Sequence, residues 1–204
     1  MLTMLMLAMA LCACGKEKGN AGDDASQDMV TAPSDESTDG GDAQETAVDT
    51  VSALGDVWAT YGENEKFYGM GGDMNNMVEN APGLFSLEDK EALAATLLVQ
   101  GDAVDMIDEA ASLVHGMNLN IFTGASFHLT DPANAEAFAK AMEASILNNQ
   151  WMCGSPDQYV IYLVGEEHVV MAFGAVDVLP VFKEKFTGVH GDNAKVLVEG
   201  NVAQ

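Results

Sequence analysis

Ile121-Phe122-Thr123-Gly124-Ala125-Ser126-Phe127-His128-Leu129-Thr130-Asp131-Pro132-Ala133-Asn134-Ala135-Glu136-Ala137-Phe138-Ala139-Lys140-Ala141-Met142 is the stretch on which the architecture turns. Its first ten residues alternate as a strand does. Phe122, Gly124, Ser126, His128 and Thr130 fall on one face, with Thr123, Ala125, Phe127 and Leu129 on the other. Asp131 is a capping residue and Pro132 suits a first helical position, so a helix opens there and runs to about Asn148. Ala135, Phe138, Ala139, Met142 and Ile146 form its buried stripe.

On the N-terminal side, Ala111 to His115 reads as a strand that pairs with this one through a polar Asn118-Leu119-Asn120 turn. The pattern then repeats. Gln158 to Val164 and His168 to Phe173 are joined at Gly165-Glu166-Glu167 as an antiparallel hairpin, followed by a helix over about Val176 to Phe186. Phe138 and Met142 in the first helix are echoed by Phe182 and Phe186 in the second, and Pro180 lies within its first turns, where it is tolerated. Lys195 to Val198 closes as a last strand. The order β-β-α-β-β-α-β predicts an α+β fold in which helices lie on one face of an antiparallel or mixed sheet.

Ahead of this core, Val51, Leu54, Val57, Trp58 and Tyr61 recur at spacings of three and four, one apolar face of a short helix that Gly62 ends. Lys66 to Met77 is too rich in Gly and Asn for a helix and reads as a short strand and a loop. A phosphate cradle would need a Lys within its Gly-rich turn, and this one has none. Ser86 is placed to cap a helix from Leu87 to about Thr96, with Glu88 and Asp89 in its first turn. Leu97-Leu98-Val99 either finishes that helix or begins a buried strand, and Asp102, Asp105 and Asp108 fit one solvated helical face.

At the N-terminus, Leu2 to Leu11 is an apolar run of signal-peptide length, well short of the ~20 residues a membrane span requires. Small Ala13 precedes Cys14, the arrangement of a lipobox. Residues 1–13 are therefore expected to be a signal peptide, and 14–49 a lipid-modified Cys14 followed by an acidic tether. Residues 50–204 are expected to form one globular domain. Gly, Asp, Ser, Thr and Glu dominate the tether, which cannot bury enough surface to offset chain entropy and is expected to be disordered. Two acyl chains anchor a protein stably, at ~0.8 kcal/mol per buried methylene.

The 204 residues carry 32 acidic side chains against 8 Lys and no Arg, a formal charge of -24. Nucleic acid and nucleotide partners are excluded on that balance, because phosphate binding rests on Lys and Arg. With Cys12 in the leader and Cys14 lipidated, only Cys153 remains, so no disulfide framework forms within one chain.

Catalytic signatures of the common hydrolase, redox, zinc and nucleotide types do not occur. His115 and His128 are placed to meet across the first hairpin, and His168 adjoins Glu166 and Glu167, the raw material of a metal site without ligand spacing. Cys153 with a distant histidine would make a nucleophile only in an activating neighbourhood. The Trp151-Met152-Cys153-Gly154 loop is the most distinctive short string: it either lines an apolar pocket or partner surface, or Trp151 plugs the core.

With Asn76-Met77-Val78-Glu79-Asn80-Ala81-Pro82-Gly83, Met106-Ile107-Asp108-Glu109-Ala110-Ala111-Ser112-Leu113 and Trp151-Met152-Cys153-Gly154, the last 130 or so residues and the lipobox resemble a group of small uncharacterised lipoproteins of anaerobic Gram-positive bacteria. The resemblance implies an extracytoplasmic position on the cell membrane but assigns no chemistry to these motifs. Labels linking some of the group to bile-acid transport imply at most an accessory or binding role, since a chain without a spanning helix is not itself a transporter. The expectation is thus a non-catalytic interaction or structural module without a cofactor, partnered by the membrane and by an envelope protein or transporter. The alternative is a solute-binding accessory of a transport system, for an amphipathic molecule such as a bile acid.

Overall fold

The computed structural model describes residues 48–152 and 154–202, so the leader, Cys14, nearly all of the tether and Cys153 lie outside the described residues. In chain order the elements are α1 (Ser52–Ala59), β1 (Gly69–Gly71), β2 (Val78–Glu79), β3 (Gly83–Leu84), α2 (Lys90–Leu97), β4 (Ile107–His115), β5 (Phe122–Leu129), α3 (Ala135–Asn148), β6 (Gln158–Val164), β7 (His168–Gly174), α4 (Leu179–His190) and β8 (Ala194–Asn201). The strands form one sheet in the order β2-β1-β4-β5-β7-β6-β8, with β3 also on β4, and every pairing is antiparallel. The α+β class and the hairpin-helix repeat are those the sequence predicts.

The helices, however, lie on both faces of the sheet rather than one. On the first face Ala125, Phe127, Leu129, Ile161, Val169, Met171 and Phe173 pack with Phe138, Ala139, Met142 and Ile146 of α3 and with Leu93 and Leu97 of α2. Phe127 meets Phe138 edge to face, ring centroids 5.2 Å apart. On the second face Phe122, Val160, Tyr162, Val164, Val170 and Ala172 pack with Leu54, Val57 and Trp58 of α1 and Leu179, Phe182 and Phe186 of α4. Tyr162 stacks on Phe186 at 4.2 Å. The physical reason is in β6 and β7: Tyr-Val-Ile-Tyr-Leu-Val and Val-Val-Met-Ala-Phe are apolar at both parities, so leaving either face in water would expose a row of large side chains. Each such side chain contributes roughly 1.5–3 kcal/mol on burial.

Several boundaries shift. Helix α2 starts at Lys90 because Asp89 accepts from the Ala92 amide at 2.9 Å, while the Ser86 hydroxyl is spent on the Glu88 amide in the turn before. Leu98, at φ 60°, ends the helix. Asp102 and Asp105 lie on a 3-10 turn over Gly101–Met106, but Asp108 is already in β4, so the three do not share a helical face. Helix α4 begins three residues later than predicted and reaches His190, and β8 is twice the predicted length.

Chain 69–84 makes a glycine-dependent corner, where the sequence reading has a short strand and a loop over 66–77. A Cβ on Gly71 would sit 2.3 Å from the Ala81 carbonyl oxygen, so the backbones of β1 and β3 approach only because that side chain is absent. The buried Asp73 carboxylate ties the corner by accepting from the amides of Asn75, Asn76 and Ser86, bonds that hold it below the usual carboxylate range. Trp58 of α1 donates its indole N–H to the Asn80 carbonyl at 2.7 Å, joining corner to helix.

Candidate functional site

One row across the sheet brings together the charged residues that the apolar core cannot absorb. Glu109 on β4 lies opposite His128 on β5, His128 opposite His168 on β7, His168 opposite Val164 on β6, and Val164 opposite Ala194 on β8. The register of β4 slips between Ile107 and Glu109, so two consecutive carboxylates, Asp108 and Glu109, both act on the histidine pair.

His128 is held on both ring nitrogens. Nδ1 lies 2.5 Å from Asp108 Oδ1, and Nε2 lies 3.4 Å from Glu167 Oε2, in the turn between β6 and β7. Both partners only accept when ionised, so the ring satisfies them by donating twice, which is the imidazolium form. Its pKa is accordingly raised, chiefly by the bond to Asp108, against the opposing effect of burial and with further help from Glu167. His168 goes the other way. Nine-tenths buried, with its ring 5.1 Å from that of His128, it has a pKa lowered first by desolvation and then by the neighbouring positive charge. Glu167, Glu109 and Asp49 oppose that shift without reversing it. The two adjacent imidazoles are therefore shifted in opposite directions.

The chain enters the domain beside this pair. Asp49 Oδ1 accepts from the amides of Val51 and Ser52 at 2.9 Å, and Ser52 Oγ accepts from the Asp49 amide at 3.0 Å, a reciprocal clasp at the start of α1. These bonds keep the Asp49 carboxyl below the ordinary range. Two adjoining hollows result, with Val48, Glu167 and His168 common to both. One, of about 720 Å³, continues along Leu163, Val164, Glu166, Asp192, Asn193 and Lys195; the other, of about 540 Å³, takes in Asp49, Thr50, Asp108, Glu109 and His128. Thr50 is 1% exposed and its hydroxyl has no hydrogen-bond partner.

His115 does not join the site, contrary to the expected meeting with His128. The hairpin register sets Glu109 against His128 and Val114 against Thr123, so the two histidines are at opposite ends of β4 and β5. His115 Nδ1 instead accepts from the amides of Met117 and Asn118 at 3.3 Å, and its ring stacks on Phe67 at 5.3 Å. Among the described residues no group of three or more His, Cys, Asp or Glu is arranged to hold a metal ion.

Trp151 meets Phe173 edge to face at 5.2 Å and packs against the α3 core, while the adjacent Met152 is 82% exposed. Around them, with Leu98 and Leu119, is a hollow of about 220 Å³. Asn120 fastens the loop by donating to the Met152 carbonyl at 2.9 Å and to that of Gly154.

Sequence reasoning assigns Asp49 to the tether and passes over His190, whose Nε2 lies 3.0 Å from the Ala53 carbonyl and joins α4 to α1. Both had signals. Asp49-Thr50-Val51-Ser52 is a capping pattern, and His190 continues the four-residue spacing of Phe182 and Phe186. Comparison of the chain with protein-family models, with curated proteins and with solved structures gives no match.

Proposed function

We propose that this chain is an extracytoplasmic lipoprotein, anchored to the cell membrane through lipid on Cys14, whose domain is a non-catalytic interaction module working through the cleft beside His168. The observation that carries the non-catalytic reading is the double engagement of His128. With carboxylates on both ring nitrogens, it has no lone pair left for proton abstraction or for a metal bond; it fixes a charge and braces three segments instead. The apolar run Leu2 to Leu11, Ala13 before Cys14 and the acidic tether support the location. No helix among the described residues is long and apolar enough to cross a membrane.

The second reading, an accessory of a transport system for an amphipathic solute, would seat that solute at Trp151 and Met152. The hollow there, about 220 Å³, is below the ~300–1,000 Å³ usual for small-molecule sites, which favours the first reading.

Metabolic labelling with an alkyne palmitate analogue tests the anchor. The native chain is expected to be labelled, to sediment with membranes and to be degraded by protease added to intact cells. Cys14→Ala is expected to lose the label while keeping its fold. An unlabelled native chain recovered in the cytosol overturns the proposal.

A further inference from the structure

We infer that the end of the sheet remote from His168, which exposes Tyr68, Met117, Leu119, Met152 and Val176, seats on the phospholipid surface to which Cys14 is anchored. The inference rests on the anchor proposed above and adds how the domain stands on the bilayer.

The register gathers all five at one end. Gly69 lies opposite His115, Phe122 opposite Gly174, and Gly174 opposite Gln158, so the segments that carry these side chains are the links beyond those strand ends. Hydrogen bonds make the links neighbours. The Gly116 amide donates to the Tyr68 carbonyl at 2.8 Å, the Ala175 amide to the Ile121 carbonyl at 2.9 Å, and the Asn120 side chain to the Met152 carbonyl at 2.9 Å. A single large apolar side chain in water needs no explanation, but a contiguous group does. Met117 is 79% exposed and Met152 82%.

Charge sets this end apart from the rest of the surface. Charged residues make up 20% of a chain whose formal charge is -24, yet residues 116–127 and 144–156 contain none. Acidic side chains border it at Asp157, which accepts from the Val176 amide, and at Asp177. Anionic headgroups repel so acidic a chain on its other faces, whereas a charge-free apolar end is one that the headgroup layer admits. Tyr68 supplies an amphipathic ring suited to that depth.

The chain ahead of the domain decides between the bilayer and a free partner. It enters at Val48, beside His168, at the other end of strands roughly 20 Å long. Residues 15–47 separate Val48 from Cys14, and a coil of that length spans on the order of 30 Å, so the remote end reaches the surface that holds Cys14. Contact is then intramolecular, at an effective concentration on the order of millimolar. A few side chains suffice on those terms, though they fall well short of the roughly 20–30 residues of a standard protein interface. Seated in this way, the domain turns the His168 cleft away from the bilayer.

The test reconstitutes the lipid-modified full-length chain on phosphatidylcholine vesicles and treats it with chloramine-T, an anionic oxidant of exposed methionine, with each sulfoxide read by mass spectrometry. Met74 is the internal standard. It is 81% exposed but sits in the Asp73 corner, tied through Ser86 and Phe85 to the level of Ala110 on β4. On vesicles, oxidation of Met117 and Met152 is expected to slow at least roughly fivefold relative to Met74, and in the Cys14→Ala chain without lipid to match it within about twofold. Leu119→Asp combined with Val176→Asp is expected to abolish the protection of both methionines while the chain still floats with the vesicles. Circular dichroism certifies its fold, and Val176→Asp alone stands in if the pair fails to fold. Met117 and Met152 as reactive as Met74 on vesicles, or protection that survives these substitutions, overturns the inference and leaves the anchor standing. Protection that grows with protein concentration in the lipid-free Cys14→Ala chain assigns this end to a second copy and also overturns it. A chain that does not float overturns both readings.

Discussion

His128 and His168 face each other on neighbouring strands, yet they titrate in opposite senses, and stability should record both. The pKa of His128 is raised above its ordinary 6.5 by Asp108 and Glu167, so its contribution is complete below about pH 6.5 and is lost as pH climbs through the raised value. The pKa of His168 is lowered by burial and by His128, while Glu167, Glu109 and Asp49 pull the other way. The folded state therefore resists protonating His168, and stability falls as pH drops from about 6.5 toward the lowered value. In urea unfolding between pH 5 and 8, His128→Gln should show its largest deficit at the acid end, shrinking above neutrality. His168→Gln should gain relative to the native chain as pH falls. Parallel profiles for the two variants would contradict the assignment. Neither behaviour is legible from sequence, where His128 and His168 are separated by forty residues and only the β5–β7 register joins them. The sequence does show His168 beside Glu166 and Glu167, and the second of these is a true partner of the pair.

Glycines in a helix and glycines in a corner predict opposite results from the same substitution. Gly188 lies inside α4, and a Cβ there would meet nothing within 4 Å. Gly188→Ala should therefore stabilise the chain by about 0.5–1 kcal/mol, since glycine gives up the most backbone freedom in a helix. Gly71→Ala drives a methyl into the Ala81 carbonyl and should cost about 1–3 kcal/mol or more, because backbone rather than a mobile side chain must yield. Denaturation midpoints measure both, and a neutral Gly71→Ala would show that the corner is slack. The elements themselves were legible where local chemistry decides them: the Ala-rich stripe of α3, the alternation of β5 and the Gly165 turn between β6 and β7 all follow the pattern. Ends were less legible. Ser86 and Asp89 are both competent caps, and only the backbone path between them shows that Asp89 takes the helix while Ser86 takes the turn.

The sheet as a body is held by few ion pairs and a large excess of like charge. Lys185 meets Glu65 at 2.9 Å and Lys183 pairs with Glu199, both partly exposed and of small worth, against a formal charge of -24. Repulsion among the carboxylates reaches about 30 Å at 0.01 M salt but only about 8 Å at 0.15 M. Raising NaCl across that range should lift the urea midpoint of the full-length chain; a midpoint that stays still or falls would show that specific pairs outweigh the net field. The two-sided helical cover was within reach of the sequence but masked by β5, whose Gly124, Ser126 and His128 resemble a solvated face, whereas β6 and β7 are apolar on both sides. Because β8 runs antiparallel to β6, Ala194 lies level with Val164 and Asn201 level with Gln158. Seven strand residues at ~3.3 Å each then put roughly 20 Å between the two ends of that pairing. A fluorescent fusion appended behind Val202 would accordingly project from the end of the sheet opposite the His168 cleft, making that position the place to install a reporter without obstructing the cleft.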